Sequence, residues 1–203
     1  MEGSWKPIDL VLEFLFVAVQ VVLFIEGVYP ADLFERNRKF GIAVSVCRHP
    51  DVCSYVRDHL TEARKWFEEG KVEKFVIPIL ERSRGSVMRN YVFLLRGIRS
   101  PTRKLNETQV KDLEVHLRGA LARLMNLRRS TPPLDTVTWD MVMFTSGVPL
   151  GQSWAAAAGT ETREIDPARK SLQAIKDVDT GSIVALEVYL EESKTPEDVN
   201  VVL

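Results

Sequence analysis

Apolar residues run almost without interruption from Leu10 to Ile25. The run is shorter than the ~20 residues of a membrane span, and it contains Glu13 and Gln20. A helix that is apolar on nearly every side is normally buried in a protein core. We therefore predict a central helix from about Ile8 to Glu26, ended by Gly27, in place of a membrane span or a signal peptide.

Two later segments repeat apolar residues at helical spacing, which predicts two amphipathic helices. The first begins near Pro50, because proline suits the first helical position, and ends at Gly70. The second begins with a capping-box pair, Asn106 and Gln109, and extends to about Arg128. The predicted buried faces of these helices carry Val52, Val56, Leu60, Ala63, Phe67, Val110, Leu113, Leu117, Leu121 and Leu124.

Branched and aromatic residues from Val72 to Leu80 and from Val87 to Leu95 predict a β-hairpin. A third strand is expected from about Thr136 to Thr145, and a small one from Ile42 to Val46. Pro78 indicates an edge position or a bulge, because proline has no N–H to donate to a neighbouring strand.

Strict alternation of apolar and polar residues predicts a last strand that begins near Val184. One set of side chains would face the core and the other would face solvent. The core set is Val184, Leu186, Val188 and Leu190, and the solvent set is Ala185, Glu187, Tyr189 and Glu191.

Between Ser146 and Gly181 neither spacing is sustained. Structureless loops become uncommon beyond ~12–15 residues, so this segment is predicted to be disordered or to be a lid or binding loop. Trp154 stands alone among small residues there, either as an anchor for a ligand or as a side chain that packs the loop onto the core. Strands without intervening crossover helices favour an α+β domain with a mostly antiparallel sheet.

Composition and charge exclude several kinds of function. With 45% hydrophobic residues and a net charge of −1, the chain of 203 residues fits one globular domain, and no basic excess predicts DNA or membrane as its direct partner. Cys47 and Cys53 form neither a disulfide framework nor a zinc site, which favours a reducing compartment. We find no phosphate-binding loop and no nucleophile motif, and expect no enzyme, no metal and no cofactor.

Basic residues keep one alternative open, that of a direct nucleic-acid-binding module. They cluster in a connector at Arg96, Arg99, Arg103 and Lys104 and on the third helix at Arg118, Arg123, Arg128 and Arg129. Aromatic residues are not interleaved with them, so bases would have no stacking platform. A solvated face is the simpler interpretation, and direct contact with DNA is not expected.

Several motifs nevertheless resemble one known family. They are Glu13-Phe14-Leu15, Val17-Ala18-Val19, Val28-Tyr29-Pro30, His49-Pro50, Val72-Glu73-Lys74, Tyr91-Val92-Phe93 and Val188-Tyr189-Leu190-Glu191-Glu192. Together with the order of elements, they are similar to the HORMA family, and within it to the accessory subunits of translesion DNA polymerase zeta, which are cousins of the spindle-checkpoint HORMA protein.

The resemblance implies a non-catalytic HORMA adaptor, one domain over residues 1–203. Its core would be residues 1–145, a C-terminal safety belt with the terminal strand would be residues 146–192, and a flexible tail would be residues 193–203. The belt would close over a proline-containing peptide of the polymerase's catalytic subunit. Such a protein is expected in the nucleus, or also in the cytoplasm.

Site residues are carried over by position. Tyr55 and Trp154 would line the peptide channel. Tyr189, on the belt's outer strand, would belong with Glu187 and Arg169 to a surface for a deoxycytidyl-transferase scaffold polymerase. Glu187 stands where the family's better-known members carry glutamine, and Arg169 stands near an expected leucine, so the contact would be lost or would meet a partner surface of different charge.

The resemblance also implies that Arg118 serves HORMA–HORMA dimerisation. A checkpoint or meiotic HORMA adaptor with a different client peptide is the alternative within the family.

Overall fold

The computed structural model describes residues 5–127, 136–146, 165, 167, 170–181 and 183–193. These residues form three α-helices, a short 3-10 turn at Ala31–Leu33 and eight β-strands. In chain order the elements are α1 (Pro7–Ile25), β1 (Phe34–Lys39), β2 (Ile42–Cys47), α2 (Pro50–Glu68), β3 (Val72–Glu81), β4 (Val87–Ile98), α3 (Glu107–Met125), β5 (Val137–Trp139), β6 (Val142–Thr145), β7 (Lys170–Asp179) and β8 (Val184–Ser193).

The main sheet is antiparallel and runs in the order β5-β3-β4-β8-β7, with β6 also paired to β3. A separate hairpin, β1–β2, lies against α1. Helix α1 contacts α2, α3 and β4, and α3 also lies against β7. We call the helix-covered side of the main sheet its inner face and the opposite side its outer face. This arrangement confirms the predicted α+β class.

Helix α1 is the central element of the core, as predicted. Its side chains are buried on nearly every side of the helix. By length and composition alone α1 could also span a membrane, but most of it is buried inside the protein. Gln20 is fully buried, and its Oε1 accepts a hydrogen bond from the backbone N–H of Cys47 on β2 at 3.1 Å. This buried polar side chain of α1 therefore ties the β1–β2 hairpin to the core.

Pro78 lies inside the sheet, so the predicted edge position is wrong. Strand β3 has β4 on one side and β5 and β6 on the other. The Pro78 carbonyl accepts from the Asp140 N–H at 3.2 Å, in the break between β5 and β6. Proline is tolerated there because the neighbouring strand is interrupted where an N–H would otherwise be needed. The predicted bulge is confirmed by a register shift between Ile79 and Leu80.

The segment predicted to lack regular structure contains strand β7. Its two buried residues, Ile175 and Val178, are three positions apart, and the register skips one residue at Ile175. The extra residue shifts the alternation, so the period of two that marks a strand is absent from the sequence. Strand β1 also escaped the sequence analysis, because its six residues are polar or only partly buried.

Strand β8 confirms the predicted core set and corrects the predicted solvent set. Val184, Leu186, Val188 and Leu190 are buried. Glu187 and Tyr189 are half-buried, since β8 lies between β4 and β7 and side chains of both neighbours flank it. The terminal strand is therefore an interior strand, and β7 is the outer one.

Candidate functional site

Strands β5 and β6 form one edge of the main sheet. Both pair with β3, and no other strand within the described ranges pairs with their far side. An extended peptide can add itself to such an edge through main-chain hydrogen bonds. The edge is short and interrupted at Asp140 and Met141. It therefore offers two short stretches of backbone to a ligand.

Aromatic side chains gather beside this edge. The Trp139 indole N–H on β5 donates to the Tyr29 hydroxyl at 3.0 Å. The Tyr55 ring on α2 meets Trp139 edge-to-face, with ring centroids 5.7 Å apart and planes at 88°. The ring centroids of Tyr55 and His59 also lie close together, 4.1 Å apart. We call Tyr29, Tyr55, His59 and Trp139 the edge cluster.

Tyr55 is the exposed member of the edge cluster, with 40% of its surface open to solvent. Tyrosine usually buries its ring when it serves only the core, so an exposed ring held by two neighbours suits contact with a ligand. The structure places Tyr55, predicted from the resemblance, beside a sheet edge. Tyr29 and Trp139 were not predicted as site residues, because neither carries a sequence signal that links it to α2. Trp154 lies outside the described residues.

Strands β6 and β7 follow one another in the chain but lie far apart in the sheet. These two strands lie at opposite edges, about four strand spacings or ~19 Å apart. Ile165, in the described part of the connection between them, is buried and shares a cavity of about 80 Å³ with Val76, Val92 and Phe144. Val76 and Val92 are buried but do not belong to the main core. A second, small apolar cluster thus lies on the outer face of the sheet, and Ile165 belongs to it.

Ion pairs and a cation–π contact border that cavity. The Lys74 ammonium lies 3.8 Å from the centroid of the Phe144 ring. Lys170, the first residue of β7, pairs with Glu191 of β8 at 2.9 Å. The Asn90 side-chain amide donates to the same carboxylate at 3.1 Å. Polar contacts thus hold the start of β7 next to Glu191 of β8.

Tyr189 and Glu187 lie on the outer face of β8. Burial raises the pKa of Tyr189, and the charges of Glu191 and Glu187 raise it further. Glu187 forms an ion pair with Arg96 of β4. The neighbouring β7 contributes Leu172, which is 66% exposed and lies opposite Glu191 in the register. Sequence analysis missed Leu172 because β7 itself was missed, and Arg169 lies outside the described residues.

Arg118 occupies a third region, on a flank of α3 next to the β1–β2 turn. Its Nη1 lies 3.2 Å from the position that a Cβ on Gly41 would take. Gly41 has a φ of +77°, so glycine suits this turn both for its conformation and for the room it leaves to the guanidinium. Val115, also on α3, is half exposed. The structure thus places the Arg118 and Tyr189 candidates on different elements, α3 and β8.

The Cys53 thiol and two of the clustered arginines form contacts within the protein. Cys53 donates from its thiol to the Cys47 carbonyl at 3.0 Å, and burial is the main reason that its pKa is raised. Reactive cysteines need a lowered pKa, so this thiol is a poor nucleophile. Of the connector and helix arginines, Arg96 pairs with Glu187 and Arg123 donates to the Ile175 carbonyl at 2.9 Å. Within the described ranges no three His, Cys, Asp or Glu side chains meet as a metal site.

No family model matches the chain, but individual relatives do. It is 27% identical to the DNA polymerase zeta processivity subunit of Schizosaccharomyces pombe, over 92% of this chain and 93% of that protein. The protein of the same name in Arabidopsis thaliana is 25% identical, over 94% and 88%. The mitotic spindle assembly checkpoint protein MAD2B of Gallus gallus is 35% identical over 42% of this chain and 40% of that protein.

Solved structures show the fold. A chain in the crystal structure of the mitotic checkpoint complex superposes with a TM-score of 0.77 at 19% identity, covering 91% of this chain and 97% of that one. Caenorhabditis elegans HTP-2 bound to a HIM-3 closure motif superposes with a TM-score of 0.64 at 10% identity, over 95% and 93%. The helices, the antiparallel sheet and these neighbours together establish the HORMA fold.

Proposed function

Because the chain is a HORMA-fold relative of the DNA polymerase zeta processivity subunits, we propose that it is a non-catalytic adaptor of that polymerase in translesion synthesis. It binds a proline-containing peptide of the catalytic subunit at the β5–β6 edge. Segment 146–192 closes over the peptide as a safety belt. The protein acts in the nucleus.

The edge cluster beside the β5–β6 edge is the observation that carries this proposal. A peptide on this edge gains main-chain hydrogen bonds along β5 and β6, and the exposed Tyr55 ring offers an apolar contact to one of its side chains. Aromatic rings that remain half exposed in the free protein are typical anchors of protein interfaces. Proline suits such a contact, because its ring is apolar and a fixed φ reduces the entropy lost on binding.

Two described features support the belt. Strands β6 and β7 lie at opposite edges of the main sheet, and Ile165, between them in the chain, is buried on the outer face. Strands β7 and β8 then continue the sheet from β4, on the side away from the β5–β6 edge. With both ends of the connection between β6 and β7 fixed in this way, a peptide enclosed by it leaves only when the connection or β7–β8 is displaced. Closure would thus lengthen the residence time of the client.

We place the second partner, a deoxycytidyl-transferase scaffold polymerase, on the outer face of β7 and β8. Tyr189, Glu187 and Arg169 would form this surface, and exposed Leu172 extends it. Glu187 forms an ion pair with Arg96. The partner would therefore contact an ion pair at the position where the resemblance implies a glutamine. Arg118, on α3, is proposed for dimerisation with another HORMA domain.

Affinity capture of the tagged chain, followed by mass spectrometry, tests the adaptor role. We expect the catalytic subunit of DNA polymerase zeta among the captured proteins, and binding of its proline-containing peptide in calorimetry. A Tyr55→Ala variant should lose that capture, whereas Val115→Ala, which removes an apolar side chain of similar exposure on α3, should keep it. Capture that does not depend on Tyr55 would place the client elsewhere.

A checkpoint or meiotic adaptor is the second candidate function. It is favoured by the superposition on a chain of the mitotic checkpoint complex and on HTP-2 with its closure motif. Capture of checkpoint or meiotic proteins without the polymerase would decide for it. Steeply salt-dependent binding of the isolated protein to naked DNA would instead favour a nucleic-acid-binding module.

A further inference from the structure

An ion network that is buried at Glu26 and partly exposed at Glu192 joins the end of α1 to the terminal strand. Glu26, the C-terminal capping residue of α1, has no exposed side-chain surface. Its carboxylate accepts hydrogen bonds from Arg89 Nε, at 2.9 and 3.1 Å to the two oxygens, and from Arg89 Nη2 at 2.6 Å. It also accepts a hydrogen bond from the Tyr91 hydroxyl. The remaining terminal nitrogen of Arg89, Nη1, donates to Glu192 of β8 at 3.3 Å. We call Glu26, Arg89 and Glu192 the three-residue bridge.

Arg89 cannot leave Glu26 without a large cost. A carboxylate at the C-terminal end of a helix is disfavoured by the helix dipole, and α1 has no basic residue in its last turn. Arg89 therefore supplies the charge that Glu26 needs, and only 12% of the Arg89 side chain is exposed. Burial lowers the pKa of Arg89, but the charge and hydrogen bonds of Glu26 outweigh it, so the pKa is raised on balance. The guanidinium is thus fixed and fully charged.

Glu192 occupies a position that the strand pattern reserves for the core. It continues the inward-facing row of Val184, Leu186, Val188 and Leu190, all of which are buried. Arg89 is its direct partner in the β4–β8 register. Glu192 is the last inward-facing residue of β8 that the structure describes. At this position the strand pairs a carboxylate, in place of an apolar side chain, with the fixed Arg89 cation.

We propose that Arg89 is a positioning residue that holds the end of β8 on β4, and that its pairing with Glu192 determines how readily the terminal strand detaches. Glu26 keeps the guanidinium in place when β8 leaves, so the strand can return to β4 in the same register. Because β8 follows the belt, detachment of β8 would release the client. This last step rests on the proposed function, whereas the anchoring of β8 does not.

Hydrogen exchange of the full chain, followed by mass spectrometry, tests the anchoring. Glu192→Gln removes the charge, and Glu192→Arg places a like charge beside Arg89. Glu107→Gln is the matched control, since it removes one charge from an exposed ion pair with Lys111 on α3. We expect amides at the end of β8 to exchange roughly three- to tenfold faster in Glu192→Gln, and faster still in Glu192→Arg. The helix α1, the strand β3 and the control should exchange as in the unchanged protein.

Three results would overturn the proposal. Unchanged exchange in both Glu192 variants would mean that the ion pair does not hold β8. An equal rise throughout α1, β3 and β8 would make Glu192 an ordinary part of the core. Equal effects of glutamine and arginine would mean that the charge of Arg89 is not what holds the strand.

The release of a labelled proline-containing peptide from the polymerase's catalytic subunit tests the second step. Faster release from the Glu192 variants, in the same order as their exchange rates, supports the link between β8 and the client. An unchanged release rate, with faster exchange, would show that detachment of β8 does not control the client. If the unchanged protein binds no such peptide, the proposed function fails, while the exchange result still decides the anchoring.

Discussion

The exposed ring of Tyr55 gives the most direct measure of the proposed peptide site. Aromatic side chains bury roughly 150–250 Å², and 40% of Tyr55 is open to solvent. A client that covers the ring would remove about 60–100 Å² from water, which corresponds to about 1.5–2.5 kcal/mol at ~25 cal/mol per Å². Tyr55→Ala should therefore weaken the peptide by roughly ten- to seventyfold.

Calorimetry with the proline-containing peptide of the catalytic subunit measures this loss. Tyr55→Phe keeps the ring, so it should retain most of the affinity if apolar contact dominates. Tyr55→Ala also removes the edge-to-face contact with Trp139, worth about 0.5–1.5 kcal/mol of fold stability, so thermal unfolding must confirm that the variant is folded. A folded Tyr55→Ala variant with unchanged affinity would refute both the site and the area argument.

Three further predictions concern other residues. Trp154→Ala should loosen the same peptide by more than ~1 kcal/mol, measured by calorimetry, as for a buried aromatic anchor. Tyr189→Ala should weaken binding of the scaffold polymerase's C-terminal domain and spare the peptide; equal loss of both would merge the two sites. Because its folded pKa is raised, Tyr189 contributes stability below pH ~10 that is lost as the pH rises through the folded value. A pH titration followed by tyrosinate absorbance checks this. The part of the signal that is present in the unchanged protein and absent from Tyr189→Phe should appear at a higher pH than for an unburied tyrosine.

The helices could be predicted because each carries its own signal. Asn106 and Gln109 form the predicted capping box, with reciprocal hydrogen bonds of 2.9 and 3.1 Å. Helix α1 needs no partner to be recognised, since an unbroken apolar run of that length has few other interpretations. Its predicted bounds, Ile8 to Glu26, differ from the observed Pro7–Ile25 by one residue at each end.

Strands that depend on their neighbours could not be predicted in the same way. The extra residue at Ile175 hides the period of β7, and the burial of Ile175 and Val178 comes from α3, which packs against that strand. The edge cluster has the same origin. Tyr29 follows α1, Tyr55 lies on α2 and Trp139 lies on β5, so only the tertiary fold brings them together.

Both faces of the main sheet bury apolar side chains, and this bears on how a belt could open. On the inner face, Tyr91, Phe93, Leu186 and Val188 belong to one continuous core with the helices. Val92 on the outer face is buried apart from that core, in a small cluster that includes Ile165. Among the described residues, the outer cluster is small, whereas displacement of β8 would break the core row and the three-residue bridge. If the proposed belt opens, we therefore expect Ile165 to leave the outer face more readily than β8 leaves β4, so that opening reaches the terminal strand last.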